Sequence, residues 1–165
     1  MPVIDRHAEV AANIEKLIRG CHVLDAIPVV VTEQYVKGLG GTIEPVRRAL
    51  EETAGYQPLE KACFSAQGNG EFVAAMRMLR KKQVIVAGVE AHVCVYQTVT
   101  DLLGAGYDVT IVADAMSSRM PENRELAIRR MTAEGAHLSS TEMVLFELTV
   151  NSGTDEFKAI SKLVK

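Results

Sequence analysis

The chain has 165 residues, of which 48% are hydrophobic and 24% charged, and its formal net charge is −3. This balance is typical of a globular protein, and the length predicts one domain spanning residues 1–165. The basic residues are scattered, and their one dense run, Arg80 to Lys82, ends a predicted helix, where the helix dipole favours cations. The composition therefore argues against nucleic-acid binding.

The sequence also argues against a membrane or secreted setting. No apolar run reaches the roughly 18 residues that a membrane span needs, and the N-terminus, MPVIDRHAEV, is charged where a secretory signal would be apolar. Three cysteines make an odd number without metal-site spacing, which favours reduced thiols. We expect a cytoplasmic protein.

Helical and strand-like patterns alternate along the chain. In order, the patterns predict a helix at 7–24, a strand at 27–32, a loop at 35–42, a helix at 44–53, a strand-like patch at 61–65, a turn at 67–70, a helix at 71–81, a strand at 83–88, a helix at 93–104, a strand at 107–113, a polar loop at 114–120, a helix at 121–134, a short strand at 138–141, and helices at 142–150 and 154–164.

This alternation with short connections predicts an α/β fold, a doubly wound (Rossmann-like) parallel sheet with helices on both faces. Ligands of such sheets bind beyond the carboxyl ends of the strands. The segments that follow Thr32, the patch at Lys61, Gly88 and Ala113 are therefore the candidate site.

Cys94 follows the clearest strand and lies near the start of a predicted helix. There the positive end of the helix dipole favours a thiolate, and free backbone N–H groups can stabilise an oxyanion. The alternative is that Cys94 is a small apolar residue that packs the helix onto the sheet. Position alone does not decide between the two.

Four motifs in order decide in favour of function. They are TEQYxxGLG at 32–40, EKACFS at 60–65, GVEAHVCV at 88–95 followed by Thr98, Asp101, Leu102 and Leu103, and DAMSSR at 114–119. Together they resemble the isochorismatase-like cysteine hydrolases, in particular the subgroup of isochorismatase domain-containing proteins. The resemblance covers nearly the whole chain and implies the isochorismatase-like version of the predicted fold.

The resemblance implies a Cys–Lys–Asp triad in which Cys94 is the nucleophile and Lys61 stabilises its thiolate; the alternative for Lys61 is a solvated surface lysine. It also implies a cis peptide at Val89–Glu90 and an oxyanion hole made by the backbone N–H groups of Glu90 and Cys94. The implied reaction is hydrolysis of a small amide or related C–N bond, without a cofactor. Relatives of this kind are usually homo-oligomers, often dimers or tetramers.

The chain departs from the family at its beginning, where members have an apolar strand that ends in the catalytic Asp. Either Met1 is an internal methionine, which is the favoured explanation, or the chain is a genuine short form that is weakly active or inactive. An alternative function is therefore a catalytically degraded scaffold that acts as an oligomeric or interaction protein. Asp5 is a weak candidate to replace the missing base.

Several other residues are candidates for the site. Tyr35, Phe64 and Met116 are expected to line an apolar substrate pocket, with core packing as the alternative. The remaining candidates are Glu33, Ser117 to Arg119, His92 as a pocket residue outside the triad, and Cys63, which strand alternation would point to the same side as Lys61. The chain lacks an Asp-x-His motif and its histidines are far apart, so no catalytic metal is expected.

Overall fold

A computed structural model describes residues 3–24, 27–53 and 55–165. The strands are β1 (Thr32–Gln34), β2 (Leu59–Lys61), β3 (Gln83–Val89), β4 (Asp108–Ser117) and β5 (His137–Ser139). The helices are α1 (His7–Val23), α2 (Val36–Leu39), α3 (Glu44–Thr53), α4 (Gly70–Leu79), α5 (Tyr96–Gly104), α6 (Pro121–Ala133), α7 (Thr141–Thr149) and α8 (Asp155–Val164).

The strands pair in parallel, β1 with β2 and β3 with β4 and β5. One large apolar cluster packs α4, α5 and α6 onto β4, with Val99, Leu102 and Ile111 fully buried. Two further clusters involve α1, α3, α7 and α8. Apolar helix faces thus cover both sides of the parallel strands, and the predicted doubly wound α/β fold is confirmed.

The first two strands differ from the prediction. β1 covers Thr32–Gln34 rather than 27–32, because its only described neighbour, β2, is three residues long and pairing starts at Thr32 and Leu59. β2 ends at Lys61 rather than continuing to Ser65. After Lys61 the chain bends around the lysine ammonium, which binds the carbonyls of Cys63 and Phe64, so the strand alternation assumed for Cys63 does not apply.

β4 is longer than predicted and includes most of the expected polar loop at 114–120. Val86 pairs with Ile111, but Gly88 pairs with Met116, so β4 carries extra residues between these two points. The Asp114 carboxylate, in this irregular part, accepts hydrogen bonds from the backbone and hydroxyl of Thr141. Asp114, whose polarity suggested a loop, therefore links β4 to the start of α7 through hydrogen bonds.

The predicted helices agree closely with the structure, with two differences. The loop at 35–42 contains the short helix α2. The helix expected at 93–104 is instead a π-helical turn at Ala91–Val95 followed by α5. No helix in the described part of the chain is both long and apolar enough to cross a membrane.

β3 has an open edge, because β4 is its only strand neighbour among the described residues. Every residue of β3 is at least partly exposed, and Ile85 is 37% exposed, whereas Val109, Ile111 and Val112 of β4 are fully buried. Unpaired N–H and C=O groups along an apolar strand favour association with another chain.

Candidate active site

The carboxyl ends of three strands bring together three polar side chains that are candidates for the site. Gln34 ends β1, Lys61 ends β2 directly opposite Gln34 in the strand register, and Cys94 lies in the π-helical turn that follows β3. This is the edge of the sheet at which ligands of parallel α/β folds bind.

Lys61 is buried, with 6% of its surface exposed, and is not the solvated surface lysine of the alternative interpretation. Its ammonium donates to Gln34 Oε1 at 2.6 Å, to the Phe64 carbonyl at 2.8 Å and to the Cys63 carbonyl at 3.0 Å. An ammonium has three N–H donors, so these contacts use all of them and fix the cation in place.

The Cys94 thiol donates a long hydrogen bond to the same oxygen, Gln34 Oε1, at 3.9 Å. Gln34 Nε2 donates to the Ala62 carbonyl at 2.8 Å, which fixes the orientation of the carboxamide. One amide oxygen therefore lies between the nucleophile candidate and the buried cation.

The backbone around Cys94 is tightly organised. The peptide between Val89 and Glu90 is cis, at the bond for which the resemblance implies that geometry. The N–H groups of Val93 and Val95, on either side of Cys94, both donate to the Glu90 carbonyl, at 3.1 and 3.2 Å. The turn thus holds Cys94 next to the end of β3.

Two polar pairs extend the site toward the end of β4. His92 Nδ1 lies 2.9 Å from the hydroxyl of the buried Ser118. Glu90 accepts hydrogen bonds from the backbone N–H and the guanidinium of Arg119 at 3.0 and 3.1 Å. His92 is therefore oriented by Ser118, and Glu90 holds the DAMSSR segment against the turn.

The three residues expected to line an apolar pocket have different environments. Tyr35 and Phe64 are 58% and 53% exposed, so both are open to a ligand, and each adjoins a residue of the site. Met116 is fully buried in the core cluster beneath α4, α5 and α6, which is the core-packing alternative. Asp5 is bound through its backbone N–H to the Ser118 carbonyl at 3.0 Å.

Glu33 is buried and holds the glycine-rich loop. Its carboxylate accepts from the N–H and the hydroxyl of Thr42, both at 2.6 Å, and from the Tyr56 hydroxyl. Burial alone would raise the pKa of Glu33, but these hydrogen bonds outweigh it and lower that pKa. Burial, followed by the bond to Glu33, raises the pKa of Tyr56.

Replacing Glu33 by Gln should destabilise the fold by about 1–3 kcal/mol at neutral pH, because three charge-assisted bonds to one carboxylate oxygen become neutral ones. Since the folded pKa lies below the unfolded one, the contribution of Glu33 is complete above the unfolded value and is lost as pH falls through the folded value. Urea unfolding from pH 7 to pH 3 measures this. If Glu33→Gln and the wild type lost stability in parallel on acidification, the carboxylate would not be the cause.

Sequence reasoning missed Gln34. The strand pattern could have indicated it. Adjacent residues of β1 point to opposite faces of the sheet, so the side chains of Glu33 and Gln34 lie on different faces. In the described parts of the chain, no group of three or more His, Cys, Asp or Glu side chains is arranged to hold a metal.

A parallel α/β fold that presents a thiol and a buried lysine at the carboxyl edge of its sheet defines a hydrolase-type scaffold. The isochorismatase domain matches residues 4–143 of this chain. Isochorismatase domain-containing protein 2 of Danio rerio is 37% identical over 163 residues, which cover 99% of this chain and 80% of that protein. The chain belongs to the isochorismatase family.

Solved structures agree with this assignment. A structure described as the MAR1 ribonuclease of Caenorhabditis elegans has a TM-score of 0.88 at 35% identity and covers 98% of this chain and 81% of that one. The YcaC gene product of Escherichia coli, described as an octameric hydrolase of unknown specificity, has a TM-score of 0.83 at 25% identity, with 94% and 75% covered.

Proposed function

We propose that the protein hydrolyses a small amide or a related C–N bond through a covalent acyl-enzyme on Cys94. The observation that carries the proposal is the placement of the Cys94 thiol and the buried Lys61 ammonium on one oxygen, Gln34 Oε1, at the carboxyl edge of the sheet. Because both groups contact the same oxygen, the ammonium is close enough to stabilise a thiolate electrostatically without a direct hydrogen bond.

In the proposed reaction, Cys94 Sγ forms a bond to the substrate carbonyl carbon, and the carbonyl oxygen becomes an oxyanion held by the N–H groups of Glu90 and Cys94. The C–N bond then breaks, and the thiol proton leaves with the amine. Water attacks the resulting thioester, the C–S bond breaks, and a water proton returns to the sulfur as the carboxylic acid forms. Tyr35 and Phe64 are proposed to contact the apolar part of the substrate. No cofactor takes part.

A specific observation also favours the second candidate, a catalytically degraded scaffold. The hydrogen-bond partners of Lys61 are one carboxamide and two backbone carbonyls, and none of these described partners is a carboxylate that could act as a base. Among the described partners of Lys61, the carboxylate of the implied triad is missing, and a scaffold with a degraded triad would serve oligomerisation or partner binding.

Alkylation by iodoacetamide across pH separates the two candidates. Modification is quantified separately for each cysteine peptide, with Cys94→Ala as the control. Cys21 serves as an internal reference, because burial raises the pKa of its thiol to about 11. A hydrolase site predicts that Cys94 reacts fastest and reaches half its maximal rate near pH 7 or lower, against about 8.5 for an ordinary thiol. Slow labelling that rises only above about pH 8 would contradict the hydrolase proposal.

We do not expect ribonuclease activity, although one solved relative is described as a ribonuclease. The concentrated basic residues Arg77, Arg80, Lys81 and Lys82 line a groove at the amino end of β3, at the opposite end of that strand from the turn that carries Cys94. Incubation of single-stranded RNA with wild type and Cys94→Ala should give equal, background cleavage. Cleavage by the wild type that Cys94→Ala abolishes would contradict this expectation.

We further propose that residues 1–165 form a single domain that assembles into a homo-oligomer, a dimer or a tetramer, in the cytoplasm. The open apolar edge of β3 supports association, as does the octameric state of the E. coli relative. Light scattering after size exclusion should give a molar mass that is a multiple of the 18.0 kDa chain mass. The substitution Ile85→Lys on β3 should lower the measured molar mass. A monomer at all micromolar concentrations would contradict the proposal.

A further inference from the structure

The Gln34 carboxamide occupies the space between Cys94 and Lys61, and its contacts bear on the reactivity of the thiol. We propose that Gln34 is a positioning residue that restrains Cys94: its oxygen accepts the thiol hydrogen bond and also accepts a Lys61 N–H, which leaves no Lys61 donor for the sulfur. The inference rests on the proposed role of Cys94 as the nucleophile.

The contact between the thiol and Gln34 depends on the thiol proton. Gln34 Oε1 accepts from Cys94 Sγ at 3.9 Å, a bond that exists only while the sulfur keeps its proton. An acceptor that binds the neutral form of an acid disfavours its ionisation. A thiolate would face the negative end of the amide dipole, which opposes ionisation of the thiol.

Lys61 has one N–H donor that is not bound to a backbone carbonyl. Its other two N–H donors bind the carbonyls of Cys63 and Phe64 at 3.0 and 2.8 Å, so the donor that binds Gln34 at 2.6 Å is the only one left for the sulfur. The amide cannot simply rotate and offer its N–H to a thiolate, because Nε2 is bound to the Ala62 carbonyl. Gln34 thus weakens the coupling between the cation and the nucleophile.

Charged groups on the other elements around the turn have partners of their own. Glu90 binds Arg119, which follows β4, and His92 binds Ser118. Arg124 of α6 donates to the carbonyls of Met116 and Ala113. The remaining pair is Arg130 with Glu134, which also accepts from Tyr96 of α5. Asp5 contacts the Ser118 carbonyl through its backbone N–H. Lys61 is therefore the cation that can act on the thiol, and Gln34 lies between the two.

The test compares two substitutions of Gln34 with opposite expected effects on the pH profile of Cys94 alkylation. Gln34→Met keeps the size of the side chain but removes the acceptor, so the rate of Cys94 alkylation on the acid side of the profile should rise by up to ~10-fold. Gln34→Glu places a negative charge at the same position and should move the profile toward higher pH. Gln97→Met, an exposed glutamine on α5, is the matched control and should leave it unchanged.

Circular dichroism establishes that each variant is folded, and Gln34→Ser replaces Gln34→Met if the methionine variant does not fold. Adding Lys61→Gln to the Gln34→Met background should return the profile toward that of the wild type, because the gain requires the cation. The proposed role of Gln34 is overturned if Gln34→Met and Gln34→Glu move the pH profile of Cys94 alkylation in the same direction, or if neither moves it. A reactive wild type with an unchanged Gln34→Met variant removes only this inference, whereas slow labelling of Cys94 in every variant removes the proposed function as well.

Discussion

Replacing Cys94 by Ala should lower the release of ammonia or amine from any amide substrate by about three orders of magnitude or more, because no other described residue supplies the nucleophile of the proposed acyl-enzyme. Cys94→Ser keeps the shape of the side chain and should lose almost as much, since a hydroxyl does not ionise beside Lys61 as a thiol can. The measurement is a coupled ammonia assay across a panel of small carboxamides.

The control for this loss is Cys21→Ala. Cys21 is a thiol of α1 whose pKa is raised by burial, and it makes no contact with the site in the hydrogen bonds of the described chain. Its replacement should leave turnover unchanged apart from a small loss of stability. Turnover that survives in Cys94→Ala would show that the reaction does not pass through this thiol.

Replacing Lys61 by Ala should have the largest effect on stability, a loss of about 3 kcal/mol, because it leaves three acceptors, two of them backbone carbonyls, without their charged donor. The same change should slow the alkylation of Cys94 near neutral pH, since it removes the cation that shares the Gln34 oxygen with the thiol. Urea unfolding and peptide-resolved labelling measure the two effects in one preparation.

Two further variants separate packing from charge. Lys37→Ala, at an exposed lysine of α2, should change stability by less than about 0.5 kcal/mol. Lys61→Arg keeps the charge but cannot place three donors on the same acceptors, so it should recover thiol reactivity better than stability. Equal effects of Lys37→Ala and Lys61→Ala would contradict the buried, structural role of Lys61.

Local patterns explain why much of the fold was predictable from the sequence. The apolar run from Gln83 marks β3, and the proline at the start of α6 marks that helix. Both elements form nearly where they were expected, because the spacing of apolar residues and a proline in the first turn define secondary structure locally. The extension of β4 to Ser117 was not predictable, since it depends on the register against β3 and on the tie between Asp114 and Thr141.

Two residues of the candidate site were expected from the sequence, and their catalytic roles stay predictions. Cys94 and Lys61 followed from motif position, and the structure places both at Gln34. Gln34 was missed because a glutamine at a strand end carries no chemistry of its own, and its role arises from contacts made across two neighbouring segments. The burial of Met116 likewise depends on how β4 packs in the core, which local pattern does not define.

The proposed acyl-enzyme is tested most directly by intact-protein mass spectrometry after acid quench of the reaction with a turned-over amide. The proposal predicts a mass increase equal to the acyl group, located on the Cys94 peptide and absent from Cys94→Ala. Turnover without any adduct, equally fast in Cys94→Ala, would contradict covalent catalysis by this residue, and the absence of both turnover and adduct across the amide panel would leave the degraded scaffold as the better description.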